Sequence, residues 1–345
     1  MRISVLDQSM IVTGRPPAAS IRETVGLARL CDQLGYHRYW VSEHHNTDSV
    51  AGSAPEVLLG ALAIATTRIR IGSAGVMLPH YSSLKVAEQF RVLEALAPGR
   101  VDLGLGRAPG SDGRTAFALN PNAGNAVDLF PSQVRDVMAW VSGAPLVENH
   151  PFRDVKAQPQ GPGAPQIWIL GSSNYGAQVA AHFGLPYCYA YFFSEGFGAR
   201  EALDLYRDTY KPSELHPNPY SAICVLAIAA DTAAQAERLY RPREVWRAER
   251  ERGRFVPLPS PDEAATFAFS DTEQRRNEVL RPRAFYGTPD IVKSRLDTVA
   301  ADLGVDELAV VTATHDPADR RRSFTLLAEE YSLPAQRRTL EDAIA

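Results

Sequence analysis

The sequence predicts a parallel α/β barrel of the (β/α)8 type. Short β-rich runs alternate with longer helical patterns almost from the first residue. Eight such runs can be counted, and the helices between them begin and end on Ser, Pro or Gly. Parallel strands need helical crossovers, and eight of them fit a closed barrel better than an open doubly wound sheet.

The elements follow in order. Residues 2–6 read as strand one. Ser20 is expected to cap the first helix, with Glu23 at the capping-box position, apolar spacing through Ile21, Val25, Ala28, Leu30 and Leu34, and Gly35 as the stop. Residues 39–42 form strand two, Pro55 opens a helix running to about Thr67, and 69–77 form strand three. A third helix over 84–96 ends at Pro98-Gly99, and 101–105 form strand four. Residues 166–170 give strand five, with a helix over 175–183, and 187–190 give strand six, with a helix near 197–210. Ser221–Ala229 is strand seven, followed by a helix from Thr232; Glu307–Val311 is strand eight, and 320–331 the last helix.

Two stretches break this rhythm within what reads as a single domain over 1–345. Residues 107–130, rich in Gly, Asn and Pro, extend the loop after strand four; residues 241–285, dense in Arg and Glu, precede strand eight. Loops after barrel strands lie on the catalytic face, so the first reads as site-forming. The second reads as either a mobile cover or a solvated insertion.

Bulk properties narrow the partners. With 345 residues, 45% of them hydrophobic, the chain can bury a large core. A net charge of -4 and a pI near 6.1 argue against nucleic acid. The N-terminus MRISVLDQSMIV lacks the pattern of a signal peptide, and no apolar run is long enough for a membrane span. Cys31, Cys188 and Cys224 are far apart and in no CxxC arrangement, so they read as core thiols of a reduced, cytoplasmic protein.

Four stretches can carry chemistry. WVSEHHN (40–46) sets two histidines where strand two is ending. A metal barrel usually takes alternate ligands, and His315 lies well past strand eight, so no metal is expected. A single active His44, supported by Glu43 and His45, is one reading; a packed loop histidine is the other. GLGRAPG (104–110) misses the G-x-G-x-x-G dinucleotide spacing, but Gly106 and Arg107 suit close backbone approach and a phosphate. A tight turn with an exposed arginine fits equally. LGSSNYG (170–176) offers hydroxyls and free N–H groups at a helix start, suited to an anion or to plain capping. GSAGVMLPH (72–80) places small residues where a flat ring can lie on the backbone, or where packing is tight.

Together, RYWVSEHHN, IRIGSAGVMLPHYSSLKVAEQF, APGRVDLGLGRAPGSD and WILGSSNYGAQVAAHFGLPY resemble the bacterial-luciferase-like flavin monooxygenases, in particular the luciferase-like oxidoreductases of bacterial secondary metabolism. The resemblance runs closely from residue 3 to about 210 and returns in FYGTPDIVKSRL and DELAVVTATHDPADRRRSFTLLAEEY. It implies a (β/α)8 barrel binding reduced FMN at the C-terminal strand ends. It also implies reaction with O2 to a flavin C4a-hydroperoxide that oxygenates a small organic substrate. His44 then matches the active-site histidine, with a pKa expected near the working pH, and Arg107 the phosphate arginine. Ser172, Ser173 and Gly176 match the phosphate loop, flanked by Leu170 and Tyr175. Ala74 and Gly75 match the strand-three bulge under the isoalloxazine, where a non-prolyl cis peptide is common. Gly106 and Ser172 replace a cysteine and a glutamate of the light-emitting luciferases, so light emission on a long-chain aldehyde is not expected.

No NAD(P)H fingerprint is evident, so a separate flavin reductase is expected to supply reduced FMN. An F420-dependent hydride-transfer enzyme on the same barrel, a non-catalytic flavin-binding protein and a metal-dependent hydrolase are the competing readings. Finally, PEVLLGALAIA (55–65) carries Glu56 as its only charge, and the next helix is apolar on several sides. With the resemblance, this predicts a homodimer through the second and third helices, in which Leu58, Leu59 and Leu62 divide between core and interface.

Overall fold

Eight parallel strands close on themselves, each taking its partner from the next along the chain. The computed structural model describes residues 1–108, 110–122 and 127–335. The ring runs β1 (Arg2–Asp7), β2 (Arg38–Val41), β3 (Arg70–Met77), β4 (Val101–Gly106), β5 (Gln166–Gly171), β6 (Tyr187–Tyr189) and β7 (Ser221–Ala229). It then passes to β9 (Glu307–Val311), which pairs with both β7 and β1 and shuts the barrel. A further three-residue strand, β8 (Phe285–Gly287), pairs with the outgoing end of β7 and lies outside the ring. The sequence did not suggest β8, because three residues after Pro282 carry no readable period.

The strands are buried on both faces, and their sequences show it. All nine residues of β7, SAICVLAIA, are buried, which is why they run apolar without alternation. One face packs under the helices; the other fills the barrel with Leu6, Trp40, Trp168, Cys188, Cys224 and Val311. At the incoming strand ends the filling is ionic. Arg38 pairs with Asp102 at 2.8 Å and Glu307 at 3.0 Å, while Arg70 meets Asp102 at 2.6 Å. Removing one of these charges would leave its partner buried and unmatched, so this floor serves stability.

Local starts differ from expectation by three residues at the first helix and at the last, which begins at Pro317 and not at residue 320. The helix α1 (Pro17–Leu34) begins three residues before Ser20, with Pro at N1 and no side-chain cap. Proline pre-sets the helical φ and has no N–H to satisfy, so a capping serine is not needed there. Ser20 instead donates to the Met10 carbonyl at 2.7 Å, and Glu23 pairs with Arg15. Gly35 closes the helix in the left-handed region, as its position suggested.

The two irregular stretches also acquire structure. In 107–130, a helix over Gly113–Leu119 is capped by Asp112; Pro109 and 123–126 lie outside the described residues. In 241–285, the helix Ala233–Glu251 runs straight through Pro242, and helices over Pro261–Ala265 and Asp271–Leu280 follow, each opened by a Ser–Glu capping box. Its charges are laced together: Arg281 with Glu244, Arg252 with Glu273, Arg254 with Glu249. Arg243, Trp246, Arg250 and Phe255 of this stretch line a cavity together with His44.

The helices α2 (Pro55–Ala65) and α3 (Ser83–Leu96) correct another expectation. Leu58, Leu59 and Leu62 do not divide between core and interface; all three are buried in the core of the single chain. The apolar residues these helices leave outside are Val57 and Ile64, 71% and 74% exposed, with Val92 and Leu96.

Candidate active site

The site is built at the outgoing ends of β2 to β7. After Val41 the chain leaves the sheet: the His44 N–H donates to the Gly52 carbonyl at 2.8 Å and that of His45 to Gly110 at 3.3 Å. The neighbouring imidazoles then take different environments. His45 Nε2 lies 2.8 Å from Glu43 Oε1, while His44 lines the cavity with Nδ1 3.2 Å from the Ser42 hydroxyl.

Glu43 is the fixed point of this corner. Buried, it accepts the Tyr81 hydroxyl at 2.7 Å on Oε1 and the Met77 N–H at 3.0 Å on Oε2. One carboxylate thus ties the exit of β2 to the end of β3 and orients His45. Sequence reasoning assigned Glu43 a supporting role but missed Tyr81 and Met77, whose spacing gives no sign of a shared partner.

Along β3 the register with β4 shifts between Ser73 and Val76, and the Ala74–Gly75 peptide is cis. Such a bulge interrupts the ladder. The Ser73 hydroxyl repairs it, donating to the Gly104 carbonyl at 3.0 Å and accepting the Gly104 N–H at 3.1 Å. The glycines serve this close approach. A Cβ on Gly104 would lie 2.1 Å from the Ser73 carbonyl oxygen, and one on Gly75 would lie 2.7 Å from that of Gly104. Gly106 is different, because a Cβ there meets Met77 Sδ at an ordinary 3.7 Å.

Across the cavity stand β4, β5 and the helix Asn174–Phe183. The Arg107 guanidinium lies 3.8 Å from the Tyr175 ring centre, a cation–π contact, and makes no ion pair among the described residues. Ser173 occupies the N-cap position, yet its side chain caps nothing, so the first N–H groups of this helix are left for another acceptor. Ser172 and Ser173 are both exposed.

These pieces enclose an inner cavity of about 260 Å³. His44, Ala74, Gly75, Gly106, Arg107, Leu170, Ser172, Ser173, Tyr175 and Gly176 all line it. So do Trp40, Phe130, Cys188, Cys224 and Phe192, which motif reading missed. The inward period of β6 and β7 was the available signal for the two cysteines. The lining combines apolar side chains and the β3 bulge with a cation, hydroxyls and a helix start. That pairing suits an aromatic ring system bearing an anionic tail.

A second, outer cavity of about 510 Å³ shares Gln8, His44, Met77, Ala108, Phe192 and Phe193 with the first. His44 therefore stands on the boundary. Burial, helped by the positive charge of Arg250, pulls its pKa from 6.5 down to about 4. This corrects the expectation of a pKa near the working pH: at neutral pH the imidazole is neutral and can accept a proton. Burial pushes the Cys188 and Cys224 thiols well up, so both stay protonated. Among the described residues no cluster of His, Cys, Asp or Glu is arranged to hold a metal, and His315 Nε2 sits 3.0 Å from the Thr13 carbonyl. No helix among them is long and apolar enough to cross a membrane.

Comparison with known proteins gives consistent matches. The profile of the luciferase-like monooxygenase family matches residues 1–307. A Bacillus subtilis N-acetyl-S-alkylcysteine monooxygenase is 35% identical over 333 residues, 95% of this chain and 98% of the relative. The crystal structure of apo-MsnO8 superposes with a TM-score of 0.88 at 37% identity, covering 97% of this chain and 99% of that one. The FMN complex of the oxygenating constituent of 3,6-diketocamphane monooxygenase from a Pseudomonas putida plasmid shares the fold, with a TM-score of 0.70 at 18% identity over 98% and 99% of the two chains.

Proposed function

Because the chain belongs to the luciferase-like monooxygenase family, we propose that it is an FMN-dependent, two-component monooxygenase acting on a small organic substrate. The observation that carries this reading is a single cavity lined by Arg107, serine hydroxyls, apolar side chains and the β3 bulge, with His44 shared with a second cavity. The FMN-complexed neighbour of the same fold supports the choice of cofactor.

In this reading Arg107, Ser172, Ser173 and the helix start at Asn174 bind the phosphate of FMN. Tyr175 holds the guanidinium in place by its ring face. Gly176, in the first turn of that helix, belongs to the same phosphate loop, while Ala74, Gly75, Gly106 and Leu170 give the ring system a close, flat wall. Bound reduced FMN supplies the electrons with which O2 is activated so that one oxygen atom reaches the substrate.

The remaining residues govern water and protons. Phe192 and Phe193, at the meeting of the two cavities, and the cover from 241–285 keep solvent from the reacting atoms. Neutral His44 accepts a proton at Nε2 from the substrate side, with Nδ1 oriented by Ser42. Glu43 fixes the loop that carries His44 by holding Met77, Tyr81 and His45.

The chain works as one barrel domain with the 107–130 and 241–285 stretches as its site-covering additions, in the cytoplasm. It draws reduced FMN from a separate reductase, and its place is in secondary metabolism. It pairs as a homodimer through the exposed Val57, Ile64, Val92 and Leu96 of α2 and α3. Supplying reduced FMN and reduced F420 separately, each with and without O2, tests the enzymatic reading. Oxygen-dependent product with FMN is expected, and oxygen-independent turnover with F420 would overturn it.

A further inference from the structure

The outer cavity holds an imbalance of charge. Its walls include Phe192, Phe193, Leu226, Trp246 and Phe255, and its lining cations are Arg243 and Arg250. Asp112 is the one carboxylate among its lining residues, and its oxygens are already engaged by the N–H groups of Arg114 and Thr115, the Thr115 hydroxyl and the Asn46 amide.

Arg243 is the unusual member. Its side chain is buried, yet among the described residues no carboxylate or carbonyl bonds its guanidinium; its contact is the Trp246 ring, 4.8 Å away. Glu195 attracts it but is bonded to Arg247 at 3.3 Å. The carboxylates of Arg243's own helix are taken elsewhere: Glu237 and Glu244 by Arg281, Glu249 by Arg254 and Glu251 by Arg276. Burial pulls the Arg243 pKa down to about 10 against the attraction of Glu195. Arg250, seven residues on along the same helix, reaches the same tryptophan from 5.6 Å. A buried, unmatched cation is costly to fold around, and the cost is recovered when an anion arrives.

We propose that the outer cavity takes a substrate bearing a carboxylate, clamped by Arg243 with Arg250 alongside. The apolar body of that substrate lies against Trp246, Phe192 and Phe255 with its reacting atom toward His44. The planar guanidinium fork matches a carboxylate bidentately, which fixes orientation as well as affinity. This rests on the reading that the inner cavity holds the flavin and the outer one the organic substrate. It adds a specificity residue in the 241–285 stretch that neither motif nor fold assigns.

The test pairs acids with their uncharged amides: phenylacetate with phenylacetamide, and octanoate with octanamide. Binding to full-length protein is followed by isothermal titration calorimetry, with FMN affinity measured separately on every variant. The wild type should bind each acid about tenfold or more tightly than its amide. Arg243→Gln should bring that ratio close to one, while Arg243→Lys keeps part of it, with FMN affinity unchanged in both. The thermal midpoint of Arg243→Gln should equal or exceed that of the wild type, since only the Trp246 ring contact and the distant pull of Glu195 are lost while the cost of burying the charge is removed; a purely structural arginine would lower it. A wild-type ratio near one, no detectable binding of either acid, or discrimination that survives in Arg243→Gln overturns the proposal. If Arg243→Gln does not fold, the wild-type ratio and Arg243→Lys decide. Loss of FMN binding in the wild type would instead count against the flavin reading and leave the acid–amide comparison standing.

Discussion

Replacing Arg107 by alanine separates binding from folding in one measurement. In the structure this guanidinium is half-buried, makes no ion pair among the described residues and rests on the Tyr175 ring at 3.8 Å. Its contribution to folding is therefore one partly exposed cation–π contact, on the order of 0.5–1 kcal/mol. Its proposed contribution to the bound cofactor is a charge-assisted hydrogen bond to phosphate, about 1.5–3 kcal/mol. That converts to roughly 10- to 150-fold weaker FMN binding, with only a small change in thermal midpoint. Anaerobic titration of intrinsic tryptophan fluorescence with reduced FMN reads this directly, since Trp40 lines the cavity. Reduced riboflavin, which has no phosphate, is the control: it should bind wild type and Arg107→Ala alike. FMN affinity that changes by less than about twofold, a shift of ~0.4 kcal/mol, would refute the phosphate assignment.

His44→Ala should leave FMN affinity intact while product formation falls about 100- to 10,000-fold, as removal of a proton-transfer group does; unchanged turnover would return His44 to a packing role. Its pH signature follows from the depressed pKa. Between pH 6.5 and about 4 the unfolded chain takes up a proton that the folded one refuses, so His44 contributes stability present above 6.5 and lost as pH falls toward 4. His44→Gln should flatten the stability-against-pH slope in that window, and an unaltered slope would contradict the burial argument. Gly104→Ala drives a Cβ to 2.1 Å from a backbone oxygen and 2.5 Å from Leu170 Cδ1, so it should destabilise by ~1–3 kcal/mol in urea unfolding; a neutral result would show that the β3–β4 approach can relax. Ile64→Arg places a charge on the exposed face of α2 and should convert the proposed dimer to a 37.7 kDa species by sedimentation; a wild type already at that mass refutes the proposed pairing.

The barrel was legible because its strands announce themselves. A buried parallel strand such as SAICVLAIA reads as an unbroken apolar run, and Gly35 marks the end of α1. Closure was expected from the count of eight and not from periodicity, since pairing between β9 and β1 joins residues some three hundred positions apart. The start of α1 was misread because Ser20 and Glu23 have capping spacing, whereas Pro17 already provides a helical start. The inner cavity was legible in motifs because strand ends place contiguous residues at one rim. The outer cavity was not: Arg243 and Arg250 sit in a charge-dense stretch that looks solvated until its carboxylates are seen paired with other arginines. Trp246 in the midst of those charges was the available hint. Leu58, Leu59 and Leu62 show the same limit, because apolar composition around a helix does not say which face the barrel covers.

Anaerobic equilibrium dialysis of the wild-type protein against reduced FMN and reduced F420 tests the central claim most directly. It needs no knowledge of the substrate or the reductase. The account predicts that reduced FMN binds at least about tenfold more tightly than reduced F420, equivalent to roughly 1.4 kcal/mol or more. Tighter binding of reduced F420, or no retention of reduced FMN, would contradict it.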